Sequence, residues 1–145
     1  MWAMARDSGA LDLNSPYAYV LAGEHFADTS VVAVDEHGRL VGFVTAYCPP
    51  SEPDAVFVWQ VAVDPSQRGT GIGRRLLHEV VDHAAPKGAR ALTATVTPSN
   101  DASRRLFQAV ARDRGADYEE QPLFDASLFP GEGHEPEHLI RIGPV

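Results

Sequence analysis

Cysteine is almost absent from this chain: Cys48 stands alone. A single thiol closes no internal disulfide, and in the apolar company of FVTAYC it reads as a small packed residue, not a nucleophile. Long apolar runs are missing too. None approaches the roughly 18 residues that a membrane span needs, and the opening MWAMARDSGALD sets acids where a signal peptide keeps its apolar region. These absences predict a soluble, cytoplasmic protein with no membrane partner. Basic charge is scarce: 12 Lys and Arg face 20 Asp and Glu, giving a net charge of −8 and a pI near 5.1. That balance excludes the basic face or stripe of a nucleic-acid binder. Repeats and low-complexity tracts are also absent. The 145 residues, 44% hydrophobic, fit one domain over 1–145 with one continuous core.

The few bases gather in mid-chain. Arg68, Arg74, Arg75, Lys87, Arg104 and Arg105 suit a small anionic ligand held by an otherwise acidic protein. Periodicity gives the elements around them. WAMARDSG reads as a helix end stopped by Gly9. Asn14 or Ser15 caps, and Pro16 opens, a helix through PYAYVLAGEHF. VVAV (31–34) and LVGFVTAY (40–47) form a hairpin about Asp35–Arg39, and the prolines of PPSEPD make 49–54 a loop. VFVWQVAV (56–63) has the near-continuous apolar character of a covered central strand. Ile72, Leu76, Leu77, Val80, Val81 and Ala84 then recur at helical spacing. LTATV (92–96) is the next strand, followed by a helix that sets Ala102, Leu106 and Val110 on one face with Phe107 beside them. YEEQ (118–121) is a strand candidate, PLFDASLFPGEGHEP a long loop, and HLIRI (138–142) a last strand. The order is α/β, with two antiparallel strand pairs and two βα units at the centre.

Chemistry concentrates where the buried strand ends. Arg68-Gly69-Thr70-Gly71-Ile72-Gly73 offers a run of main-chain N–H groups at a helix start, with little side-chain bulk to obstruct a phosphate. It is not a Walker loop, since it ends Gly-Arg-Arg where Gly-Lys-Ser/Thr is required. Nor is it a dinucleotide fingerprint, because its glycines alternate as Gly-x-Gly-x-Gly in mid-chain.

With Arg68, Gly71 and Gly73 in the pattern Arg/Gln-x-x-Gly-x-Gly/Ala, and Asn100 opening the next helix in TPSNDASRRLF, the segment resembles the Gcn5-related N-acetyltransferases. The resemblance implies a mixed, splayed central sheet flanked by helices and acetyl-CoA as co-substrate. It implies that Val61 and Val63 lend main-chain groups to the pantetheine arm. The N–H groups of Arg68, Gly69, Gly71, Ile72, Gly73 and Arg74 would hold the pyrophosphate, with Asn100 completing the cofactor site. LDLNSPYAYVL, EHFADTSVVA, FVWQVAV, TVTPSNDASRRLF and HEPEHLIRIGP further resemble the branch of that family that acetylates the γ-amine of L-2,4-diaminobutyrate in ectoine biosynthesis. That branch implies a substrate site of Asp12, Trp59, His134 and Glu137, with Asp12 and Glu137 as the catalytic acids, no metal, and a homodimer. Two departures accompany the likeness. The family's first strand has no counterpart, the chain starting in what resembles the middle of the following helix. Phe107 stands where many members carry a Tyr that protonates the leaving thiolate, so that role is vacant or falls to Tyr118 or water.

The chemistry itself asks for acids. An ammonium group is no nucleophile until it loses a proton, and carboxylates both bind the cation and accept that proton. Asp12 also reads as a plain helix-start residue, Glu137 as a solvated loop acid, and Trp59 as core. Two rival functions stand beside the transferase. HEPEH (134–138) matches the zinc-hydrolase pattern His-Glu-x-x-His, although Pro136 breaks the helix that the pattern needs. The other rival is a module that binds acetyl-CoA without turnover.

Overall fold

A computed structural model describes residues 1–9, 11–131 and 133–145. The chain forms helices α1 (Trp2–Ser8) and α2 (Pro16–His25), strands β1 (Val31–Val34), β2 (Leu40–Tyr47) and β3 (Ala55–Val63), and helix α3 (Ile72–Ala84). Strand β4 (Ala91–Val96), helix α4 (Asp101–Arg114) and strands β5 (Asp117–Phe124) and β6 (Glu137–Gly143) follow. The sheet runs β1-β2-β3-β4-β6-β5, parallel only between β3 and β4.

Local chemistry sets the ends of the helices. Gly9 closes α1 in the left-handed conformation, and Ser15, not Asn14, caps α2 by accepting from the Ala18 N–H. The Asn100 carboxamide accepts from the Ser103 N–H at the start of α4. One face of the sheet packs on α3 and α4 through Val44, Val56, Leu77, Val80, Phe107 and Ile140. The other face meets α1 and α2 through Ala5, Tyr19, Phe43 and Ala62. Helix α4 is rotated from the expected face: Phe107, Val110 and Ala111 are buried and Ala102 is exposed. Phe107 carries far more apolar surface than Ala102, and it wins the core position.

Strand β5 runs on through Phe124, into a segment read from sequence as loop, and pairs Pro122 with His138. It is an edge strand, so the missing N–H of Pro122 faces outward at no cost to the ladder. The expected 122–136 loop shrinks accordingly, and its Glu132 lies outside the described residues.

The feature that positions the site is a bulge in β3. Thr45 pairs with Gln60 but Ala46 pairs with Val58, leaving Trp59 as the extra residue. The Asp64 N–H donates to the Val41 carbonyl at 2.9 Å, so Ala62 and Gln60 direct their main-chain groups at β2. Val61 and Val63 therefore direct theirs toward β4. No partner strand meets them there, because β4 pairs with β3 only along Ala55–Val58 and Ala91–Ala94. The two strands part above that point, and Val61 and Val63 open onto the gap. The bulge also switches side chains between faces. Val56 and Val58 lie in the α3/α4 core, whereas Gln60 and Ala62 point at α1 and α2.

Candidate active site

Where β3 and β4 diverge, a cleft of about 590 Å³ opens on the α1/α2 face of the sheet. Its floor is Phe57, Trp59 and Gln60 of β3, Thr95 of β4 and Glu137 of β6. Leu11, Asp12 and Asn14 form one rim, Asn100 an end, and Phe129, His134 and Glu135 the other rim. The structure thus brings Asp12, Trp59, Asn100 and the pair His134 and Glu137 together from four separate stretches of chain. Trp59 is 46% exposed and is not core. Asp12 does not cap α2, since Ser15 does.

The electrostatics of the cleft are acidic. Burial pushes the Glu137 carboxyl above its usual value; the Thr95 hydroxyl and His134 draw it back, and the charges of Asp12 and Glu135 add to the rise. His134 lies between the acids, with Nε2 4.0 Å from Asp12 Oδ2, and its ring stacks on Phe129 at 3.6 Å between centroids. The Ser99 hydroxyl donates to Glu135, tying this rim to the approach of α4. An acid raised by burial beside a second carboxylate is suited to hold a diammonium substrate and to take a proton from it.

The glycine turn lies outside the cleft walls, at the far end of β3. Gly69 and Gly71 hold φ of 79° and 84°, a region closed to most side chains. Gly73 lies between β3 and α4, where a Cβ would make ordinary contacts, 3.4 Å from Val63 Cγ2 and 3.5 Å from Leu106 Cδ2. Arg68 and Thr70 spend their N–H groups on long turn bonds of 3.4 Å. Among the described residues the N–H groups of Gly69, Gly71, Ile72, Gly73 and Arg74 have no protein acceptor. That free run at a helix start, adjoining the open main chain of Val61 and Val63, fits a pyrophosphate with an extended arm. The side chain of Arg74 takes no part, because Asp113 of α4 engages its guanidinium.

Three sequence expectations meet their environment here. Phe107 is 2% exposed. Phe107→Tyr is expected to destabilise the fold by about 1–3 kcal/mol by burying an unpaired hydroxyl, with no gain in activity; urea unfolding and initial rates check this. Tyr118 is not among the cleft walls. Its hydroxyl donates to Glu120 at 3.0 Å, and burial, then Glu120, pushes it up to about 12, which suits a structural phenol. The HEPEH segment is not helical: His134 precedes β6 and His138 lies within it, where its Nδ1 is 3.1 Å from Glu120. The two imidazoles share no helix face, and among the described residues no three His, Cys, Asp or Glu converge as a metal site.

Sequence reasoning missed Gln60. It read VFVWQVAV as an uninterrupted buried strand, and only the bulge at Trp59 reveals which face Gln60 takes.

Known proteins bear on this geometry. Residues 3–111 match the model of the Acetyltransferase (GNAT) family. The chain is 52% identical over 145 residues to the L-2,4-diaminobutyric acid acetyltransferase of Nocardia farcinica (strain IFM 10152), spanning all of this chain and 74% of that one. It is 49% identical to the enzyme of the same name from Streptomyces coelicolor (strain ATCC BAA-471 / A3(2) / M145), spanning all of this chain and 86% of that one. Among solved structures, the diaminobutyrate acetyltransferase EctA from Paenibacillus lautus, in complex with its substrate L-2,4-diaminobutyric acid and coenzyme A, superposes with a TM-score of 0.92. That likeness has 44% identity over 99% of this chain and 86% of the other.

Proposed function

Because the chain belongs to the acetyltransferase (GNAT) family, and within it to the L-2,4-diaminobutyric acid acetyltransferases, we propose that it acetylates the γ-amine of L-2,4-diaminobutyrate from acetyl-CoA. The products are N-γ-acetyl-diaminobutyrate and CoA, and residues 1–145 act as one domain. The observation that carries this reading is the cleft itself: Asp12, His134 and Glu137 face one another at the mouth of the β3/β4 gap, into which Val61 and Val63 open.

Each residue then has a task. Asp12 and His134 hold the α-amino end of the substrate, and Trp59 walls its carbon chain. Glu137 takes a proton from the γ-ammonium, whose ordinary pKa is about 10, and the freed nitrogen lone pair attacks. Acetyl-CoA supplies the acetyl group as an activated thioester. The Val61 N–H, turned into the gap by the bulge, meets the negative charge that develops on the carbonyl oxygen. The thiolate leaves, and the nitrogen sheds its second proton to complete the amide. With Phe107 and Tyr118 placed as they are, water relays that proton to the sulfur. Transfer is direct, with no acyl group carried on the protein.

The test follows free thiol while the protein is incubated with acetyl-CoA and L-2,4-diaminobutyrate, and locates the acetyl group by NMR. Thiol release with acetyl on the γ-nitrogen is expected. A tight CoA complex without release would leave a binding module, and release abolished by a chelator would require a metal. Activity should also fall as pH drops through the Glu137 pKa, since only the ionised carboxylate accepts a proton. Because burial holds that pKa above the usual value, the acid limb of kcat/KM should lie above the ordinary glutamate range.

Acetylation of this diamine places the protein in ectoine biosynthesis and hence in osmoprotection. A cytoplasmic location accords with the acetyl-CoA supply; among the described residues no helix is long and apolar enough to cross a membrane. A homodimer accords with the unpaired edge strand β1, which leaves Val32 and Val34 more than half exposed. Light scattering checks the oligomeric state.

A further inference from the structure

Gln60 is 7% exposed, and a buried carboxamide is costly unless both its ends are satisfied. Both are. The Tyr19 hydroxyl of α2 donates to Gln60 Oε1 at 2.8 Å, and Gln60 Nε2 donates to the main-chain carbonyl of Asp12 at 2.8 Å. The Asp12 side chain, by contrast, is held by almost nothing: it is 96% exposed, with His134 Nε2 at 4.0 Å. Residues 11–15 form neither helix nor strand. The place of the carboxylate is therefore set by its main chain, and Gln60 is what fastens that main chain to the sheet. Thr45, paired with Gln60 across the ladder, adds a buried hydroxyl that has no partner among the described residues. The spot is polar on both strands, unlike the Phe43 and Ala62 pair beside it.

We infer that Gln60 is a positioning residue for amine recognition: anchored by Tyr19, it fixes the Asp12 loop over the cleft so that the Asp12 carboxylate faces His134 and Glu137. The inference rests on the role proposed above for Asp12. The bulge at Trp59 serves both halves of the reaction. It turns Val61 and Val63 toward the gap on one side and swings Gln60 under the Asp12 loop on the other. An uninterrupted strand would aim Gln60 into the α3/α4 core.

The test compares Gln60→Leu, Tyr19→Phe and Asp12→Ala, each alone, with the double variant Gln60→Leu/Asp12→Ala. Gln60→Leu is expected to raise KM for L-2,4-diaminobutyrate about ten- to hundredfold, the scale at which misplacing a binding group acts, with KM for acetyl-CoA unchanged. Tyr19→Phe keeps the ring packed edge-on against Phe43 and removes only the hydroxyl, so it should raise the diamine KM by a smaller factor without loss of fold. In the Asp12→Ala background, Gln60→Leu should add nothing, because there is no carboxylate left to place. Independent, multiplying effects of the two substitutions would overturn the positioning role, as would parallel losses for both substrates. If Asp12→Ala damages diamine use while both Gln60→Leu and Tyr19→Phe leave it intact, Gln60 has no such role and the reading of Asp12 survives. If Asp12→Ala itself shows ordinary diamine kinetics, the premise fails, and the inference with it.

Discussion

Glu137→Gln is expected to lower kcat/KM for L-2,4-diaminobutyrate by about 10²- to 10⁴-fold, the usual contribution of a positioned proton acceptor, while acetyl-CoA binds as before. The amide keeps the size of the side chain and its contact with the Thr95 hydroxyl, but it cannot take the proton. The same substitution should stabilise the protein. Burial raises the Glu137 carboxyl in the folded state, so above that pKa the ionised side chain opposes folding. Removing the charge should raise Tm at pH 7. The gain should fade as pH falls through the folded pKa and vanish well below about 4, where the native carboxyl is protonated in both the folded and unfolded chain. Thermal melts across pH, run beside steady-state kinetics, read both effects. A variant that loses activity and Tm together at pH 7 would mark Glu137 as a structural residue instead.

The half of the site proposed to hold the cofactor is legible in the sequence because it is local. Glycines at alternate positions, a helix start and a capping Asn100 are properties of short segments, and each fell where its spacing placed it. The half proposed to hold the amine is not local. Asp12 sits in an irregular rim, Glu137 opens the last strand, and Trp59 is the bulged residue of β3, with no spacing rule to connect the three. In the sequence, only likeness to a family connects them. Gln60 had not even that signal, since one extra residue in VFVWQVAV decides its face and leaves the hydrophobic pattern almost unchanged. Strand β5 contains the expected 118–121 and runs on to Phe124 for a related reason. Pro122 forbids a central strand but not an edge, and which strand forms the edge is a fact of the whole sheet.

The second large effect concerns charge at the glycine turn. Gly71 holds φ 84°, and a Cβ built there meets nothing within 4 Å, so a side chain at this position projects into open space beside the free N–H groups. Asn and Asp are the residues other than glycine that best tolerate the left-handed region, and they differ in little but charge. Gly71→Asn therefore measures the backbone strain and added bulk, and Gly71→Asp adds a negative charge to both. If the pyrophosphate lies on this turn, two phosphate charges roughly 5 Å away at an effective dielectric of about 50 cost about 2–3 kcal/mol. Gly71→Asp should then bind CoA about 30- to 150-fold more weakly than Gly71→Asn. The gap should narrow as salt rises, because the turn is exposed and its charges are screened. Titration calorimetry of both variants at low and high ionic strength supplies the comparison. Equal affinities for the two would place the pyrophosphate elsewhere, whatever the affinity of either variant relative to the native protein.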